Sequence, residues 1–263
     1  MIPDAEAQLS YTQYQTMMQT AQYEAIIRSG NHTAYSMAVL LGFILGGILI
    51  RKDSRQWALS MQQRYSILVV AFMGSFIGCA LPAHFAGGVI ERITMMSIVS
   101  PKTILGGILC SFIAVAAYKK LLNIDYDTSD AFARGGCLMM AIGRVGCILQ
   151  HCCFGRRVPA IFGVDLGDGI PRAPVQTIEA ICLFLLFFYL NNLHQKNQYP
   201  HKRLFILFAV YGFIRFNLEF LREPIADTYF NIGVYQYLAL AIFLIGVFRL
   251  FKHNRVAYAE TAL

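Results

Sequence analysis

Seven apolar runs, each near the length that crosses a hydrocarbon layer, recur along the chain at about 34–50, 66–86, 103–119, 131–150, 175–193, 204–221 and 232–250. A backbone in hydrocarbon finds no water to bond, so such runs fold as helices that satisfy their own N–H and C=O groups. The expected fold class is all-α: a polytopic membrane protein with about seven transmembrane helices. Composition agrees, since only 14% of the 263 residues are charged, against roughly 25% in a soluble domain. Glycines within the runs (Gly42, Gly46, Gly47, Gly106, Gly107) suit close approach of neighbouring helices.

The formal net charge of +7 does not mark a nucleic-acid partner. The Lys and Arg residues fall in short clusters between apolar runs, as membrane topology requires. With the N-terminus outside, the inner segments hold thirteen of them, including Arg51, Lys52, Arg134, Lys202 and Arg203. The outer segments hold seven, including Lys102, Arg156, Arg172 and Arg222, so the charge bias favours N-out and C-in. Residues 1–30 carry early acids and no apolar core of signal-peptide length. They read as a polar segment at the membrane surface or a mobile tail. Residues 31–252 form the transmembrane domain, and 253–263 a cytoplasmic tail.

Arg144 and Arg215 fall inside apolar runs, where an ionised group costs a few kcal/mol at least and needs a partner or a polar cavity. Tyr211, Arg215 and Glu219 stand at i, i+4 and i+8, and Arg222 follows at i+11. On a helix these four lie within roughly 80° of one another, which makes one polar stripe. Gln176 and Glu179 share a face at the start of the fifth run, and Tyr35 begins the first. Structural ion pairs and snorkelling side chains are the bland alternative. Planar guanidinium forks clustered at one depth suit a phosphate, and hence a phospholipid headgroup. Lys102, at an outer helix end, is either a further phosphate contact or an interfacial anchor.

With these residues in view, the chain resembles the phosphatidylglycerol–prolipoprotein diacylglyceryl transferase family. That family's segment G-R-x-G-N-x-x-N-G-E-x-x-G-R reads GRVGCILQHCCFGR here, matching at Gly143, Arg144, Gly146, Gly155 and Arg156. Cys147, Gln150, His151 and Cys152 replace its Asn, Asn, Gly and Glu. A second segment, R-H-P-[ST]-Q-L-Y-E, reads RAPVQTIE and keeps Arg172, Pro174, Gln176 and Glu179. The third, Y-G-x-x-R-F-x-x-E-F-x-R-E-P, reads YGFIRFNLEFLREP and matches throughout. Leu105 stands where the family carries a His before a Gly-Gly pair.

The resemblance implies transfer of a diacylglyceryl group from phosphatidylglycerol, or a related phospholipid, to a lipoprotein-precursor cysteine. It implies this at the outer leaflet of a bacterial inner membrane, without metal or organic cofactor. Arg144 and Arg215 would neutralise the phosphate, and Glu219 would orient an arginine or assist proton removal. Tyr35, Gln176, Glu179 and Tyr211 would shape the headgroup site, with Lys102, Arg156 and Arg222 as further binding residues. Thiol attack needs a base or a positive field; Glu219, His151 and His84 are the candidates.

Cys147, His151, Cys152 and Cys153 form C-x3-H-C-C. The spacing matches no standard zinc motif, so no metal site is expected. A disulfide on an oxidising face and simple replacement by small residues are the other readings. Beside the transferase with a lipoprotein-cysteine acceptor stand a transferase with a different acceptor, a phospholipid-binding membrane protein without turnover, and a thiol oxidoreductase, which lacks a C-x-x-C pair.

Overall fold

The computed structural model describes residues 29–86, 103–166, 169–222, 228–229 and 232–260, with 81–86, 228–229, 232 and 253–260 as backbone alone. Most of the N-terminal segment, Lys102 and the side chain of His84 lie outside the described residues.

Among the described residues there are seven long helices: α1 (His32–Ser54), α2 (Met61–Ala86), α3 (Ile104–Leu121), α4 (Asp130–Leu149), α5 (Val175–Gln195), α6 (Arg203–Glu219) and α7 (Val234–Glu260). Six are long and apolar enough to cross a membrane. The other, α6, has 17 residues and a length of about 25 Å at 1.5 Å per residue. The protein is thus an all-α, multi-pass membrane protein. The only strands among the described residues are two short antiparallel pairs, β1 (Val164–Asp165) with β2 (Pro171–Arg172), and β3 (Thr228–Tyr229) with β4 (Ile232–Gly233).

Some helix ends differ from those read off the apolar runs, and for a physical reason. The side chain of Asn31 caps α1 by accepting from the Ala34 N–H at 2.9 Å. At its other end α1 continues through Arg51, Lys52 and Asp53, because Asp53 turns inward to meet Arg134 of α4. Arg134 is correspondingly a buried helix residue, and Arg203 is buried at the first position of α6 beside Asp130. Neither is the free loop charge that the topology count takes it for.

Helix α4 is central, packing against α1, α5 and α6, while α2 pairs with α3 and α6 with α7. The apolar core gathers Ala133, Cys137 and Ala141 of α4, Leu183, Leu186 and Leu190 of α5, and Leu207, Phe208 and Tyr211 of α6. Leu105, in place of the family His, is buried in the same core. Outward faces are apolar as well, with Met37, Leu40, Phe188, Phe213 and Phe248 exposed. Exposed apolar side chains on nearly every helix are what a lipid solvent requires.

Lipid gives helices no hydrophobic reason to associate, so close backbone packing takes over. At the crossing of α1 and α4, a Cβ on Gly46 would lie 2.6 Å from the Gly135 carbonyl oxygen, and one on Gly135 the same distance from that of Gly46. One turn's neighbour, Gly47, meets nothing within 4 Å. Gly46→Val should therefore lower stability by about 1–3 kcal/mol through overpacking. Gly47→Val should stay close to wild type. Thermal unfolding in detergent checks both, and equal effects would remove the packing explanation.

Candidate functional site

Four chain segments converge at one end of the bundle: the start of α1, the end of α4, the start of α5 and the end of α6. Glu179, one turn into α5 and 1% exposed, is the hub. Its Oε1 lies 3.0 Å from Nε of Arg144 and 4.0 Å from Nε of Arg215, and accepts from the Tyr211 hydroxyl at 3.1 Å. Arg215 reaches on through Nη2 to Oε2 of Glu219 at 2.5 Å, one helical turn away. The same oxygen lies 3.6 Å from Nη1 of Arg222. Arg144, Arg215 and Arg222 are all buried. The two arginines of the apolar runs are thus neighbours bridged by one carboxylate.

Among the described residues, three guanidinium groups meet two carboxylates here, which leaves a formal excess of one positive charge between arginines and glutamates. Nη1 of Arg215 and Nε of Arg222 are buried and have no hydrogen-bond partner among the described residues. Buried donors left unmade cost about 1–3 kcal/mol each. An anion with several acceptor oxygens matches both features.

The segment between α4 and α5 lies across this end of the bundle. Gly155 bridges to Arg222 and Arg157 to Arg172 as isolated antiparallel pairs. A Cβ on Gly155 would stand 2.5 Å from the Ala173 carbonyl oxygen and 2.7 Å from that of Leu221, so only glycine lets the three strands of chain close up. The backbone that carries Arg222 is fixed in this way.

The other residues singled out by sequence take different places. Gln176 is buried and donates through Nε2 to the Cys152 carbonyl at 2.8 Å, which ties the α4–α5 segment to α5. Tyr35 is half-buried against Gly146, within electrostatic reach of Arg144 and of Cys147, Cys152 and Cys153. Arg156 is exposed, and its backbone joins the bridged segment through Leu221 and Ala173. His151 turns its Nδ1 toward the Ser29 hydroxyl at 3.1 Å, and so toward the start of α1.

Beside the arginines sit three thiols. The sulfurs of Cys147, Cys152 and Cys153 all lie within 4.8 Å of one another, and Nη1 of Arg144 is 3.8 Å from that of Cys147. Hydrogen bonds from the Cys147 and Cys152 thiols, and then the charges of Arg222 and Arg144, hold the Cys153 thiol well below its ordinary range against the opposing effect of burial.

Residues 25–252 match the family model described as prolipoprotein diacylglyceryl transferase. The chain belongs to that family. It is 25% identical over 224 residues to the phosphatidylglycerol–prolipoprotein diacylglyceryl transferase of Clostridium tetani, covering 81% of this chain and 90% of that one. Against the protein of the same description from Wolbachia pipientis it is 27% identical over 234 residues, covering 81% and 87%. Against that of Pasteurella multocida it is 28% identical over 229 residues, covering 81% and 84%. The similarity to this family's transferases is general in character, and the identity is that of a divergent member.

Two buried groups escaped the sequence reading of the site. Arg172, matched in a family segment but given no role, is 5% exposed and stacks over the Phe154 ring with 5.0 Å to its centroid. Nothing local in R-A-P signals that stacking, because Phe154 belongs to the other arm of the crossing segment. At the opposite end of α4, Arg134 forms a bidentate pair with Asp53, at 2.7 Å and 2.5 Å.

Proposed function

We propose that this chain transfers a diacylglyceryl group from phosphatidylglycerol, or a closely related phospholipid, to an acceptor thiol. The excess guanidinium charge around Glu179 carries this reading. It is buried, it has unmet donors, and the phosphodiester of a lipid headgroup supplies one negative charge with several acceptor oxygens. The relatives' descriptions name phosphatidylglycerol as donor and a prolipoprotein as acceptor, so a lipoprotein-precursor cysteine is the acceptor of choice.

In the reaction the acceptor sulfur, as thiolate, attacks the glyceryl carbon that bears the phosphate. A C–S bond forms, the C–O bond breaks, and glycerol phosphate departs with the electron pair. Arg144 and Arg215 hold the phosphate and stabilise its growing charge. Glu219 orients Arg215 and Arg222; Glu179 and Tyr211 fix Arg144. The base that takes the thiol proton is one of Glu219, His151 and His84. The site opens to the outer leaflet of a bacterial cytoplasmic membrane, with the N-terminus outside, as the loop charges favour.

Binding of phospholipid without turnover is the second reading. It is favoured by Leu105, an apolar core residue where the family segment carries His. One experiment separates the two. Purified protein is given phosphatidylglycerol vesicles and a cysteine-containing lipoprotein signal peptide, and water-soluble phosphate and peptide mass are followed. Transfer is expected to release glycerol phosphate and add one diacylglyceryl mass to the peptide. Retained lipid with neither product would leave the binder; neither retention nor product would remove both readings.

A further inference from the structure

The end of α4 does something that spacing along the chain conceals. His151 takes a positive φ of 55° just past the C-cap Gln150, its N–H donates to the Ile148 carbonyl, and the Cys152 N–H reaches back to the Cys147 carbonyl at 3.2 Å. These two bonds with a left-handed residue between helix and loop make a Schellman stop. Such a stop folds the chain back over its own last turn, so Cys152 and Cys153 come to rest beside Cys147. Cys153 is itself held at a φ of 59°, a conformation that persists only where the surroundings dictate it. The anchor from Gln176 to the Cys152 carbonyl fixes the turn from the α5 side.

We propose that Cys147, Cys152 and Cys153 form a three-thiolate site for a thiophilic d10 metal ion of the zinc kind, its fourth position open to a ligand from outside the chain. The geometry needs little change to accept one. Zinc–sulfur bonds of about 2.3 Å in a tetrahedron place sulfurs roughly 3.8 Å apart. The three sulfurs here already lie within 4.8 Å. Nη1 of Arg144 stands 3.8 Å from the Cys147 sulfur, at the edge of the group. Cys147 is buried while Cys152 and Cys153 are partly buried, so the cluster has a floor and a side nearer the surface. His151 is not part of the group: only the three sulfurs gather within ligating reach, and the His151 Nδ1 is turned toward Ser29. The site departs from the sequence expectation of no metal, and it stands independently of the lipid-transfer reading.

The test uses the full-length protein in detergent, stripped with a chelator under reducing conditions and then titrated with Zn2+, or with Cd2+ as a spectroscopic probe. One equivalent is expected to bind. Cd2+ should raise a sulfur-to-metal charge-transfer band, and either ion should protect three of the seven cysteines from a thiol reagent. Cys152→Ser and Cys153→Ser should each weaken binding by about 100-fold or more, and Cys182→Ser should not. Protection in the unsubstituted protein needs no variant to fold. Absence of the band and of protection would overturn the proposal, as would a band that survives both substitutions. Two thiols missing from the unreduced protein, together with a mass two hydrogens lighter, would overturn it in favour of a disulfide.

Discussion

Arg215→Lys is expected to reduce glycerol phosphate release from phosphatidylglycerol by about 100-fold or more while leaving the fold intact. The guanidinium of Arg215 is committed at two edges, with Nε facing Glu179 and Nη2 ion-paired with Glu219. That fixes the plane of the fork and leaves Nη1, buried and without a hydrogen-bond partner among the described residues, as the donor for a phosphate oxygen. A lysine keeps the positive charge beside Glu219 but is a point donor, so it cannot hold two carboxylates and a phosphate at once. Because the charge survives, neither glutamate is left buried and alone, and the thermal midpoint should move little. Arg215→Ala is the poorer test, since removing one partner of a buried pair costs about 3–5 kcal/mol and mixes misfolding with lost chemistry. Arg144→Lys should behave like Arg215→Lys, for Glu179 ties the two arginines together. Turnover within about threefold of wild type in both lysine variants would rule out the phosphate role.

The helices were legible because lipid demands long apolar runs, and a hydropathy pattern along the chain carries that demand directly. The stripe Tyr211–Arg215–Glu219 was legible for the same local reason: one helix, four residues per step. What the sequence could not pair were residues on different helices. Glu179 shares a face with Gln176, yet nothing nearby says that its oxygen receives Arg144, Arg215 and Tyr211 together. Asp53 follows Arg51 and Lys52 at the edge of an apolar run and looks like part of a solvated loop. Its true partner is 81 residues away. The proximity of the three thiols was not legible because motif spacing assumes an ordinary loop, whereas a left-handed stop at His151 shortens the path from Cys147 to Cys152 and Cys153.

Asp53→Ala should be the most destabilising single change at the other end of the molecule. Arg134 and Asp53 are 7% and 5% exposed, and they are joined by two charge-assisted bonds, with Asn191 accepting from Nη1 of Arg134 at 2.9 Å and His194 3.7 Å from the carboxylate. Neutral side-chain hydrogen bonds between membrane helices average only about 0.6 kcal/mol, because the separated helices also find partners. An ionised guanidinium inside α4 has no such recourse: without Asp53 it is left with the neutral Asn191 oxygen, or drags the helix toward the interface. The expected cost is about 3–5 kcal/mol, or a fall of roughly 10 °C in thermal midpoint for a chain of this size. The same logic predicts an unusual rescue. Asp53→Ala combined with Arg134→Met removes both charges, so the double variant should be more stable than Asp53→Ala alone. Arg134 lies ten residues before Arg144 on one helix, about 15 Å away, so turnover per folded molecule should be retained. A double variant as weak as the sum of its parts would mean that the pair acts through packing rather than charge.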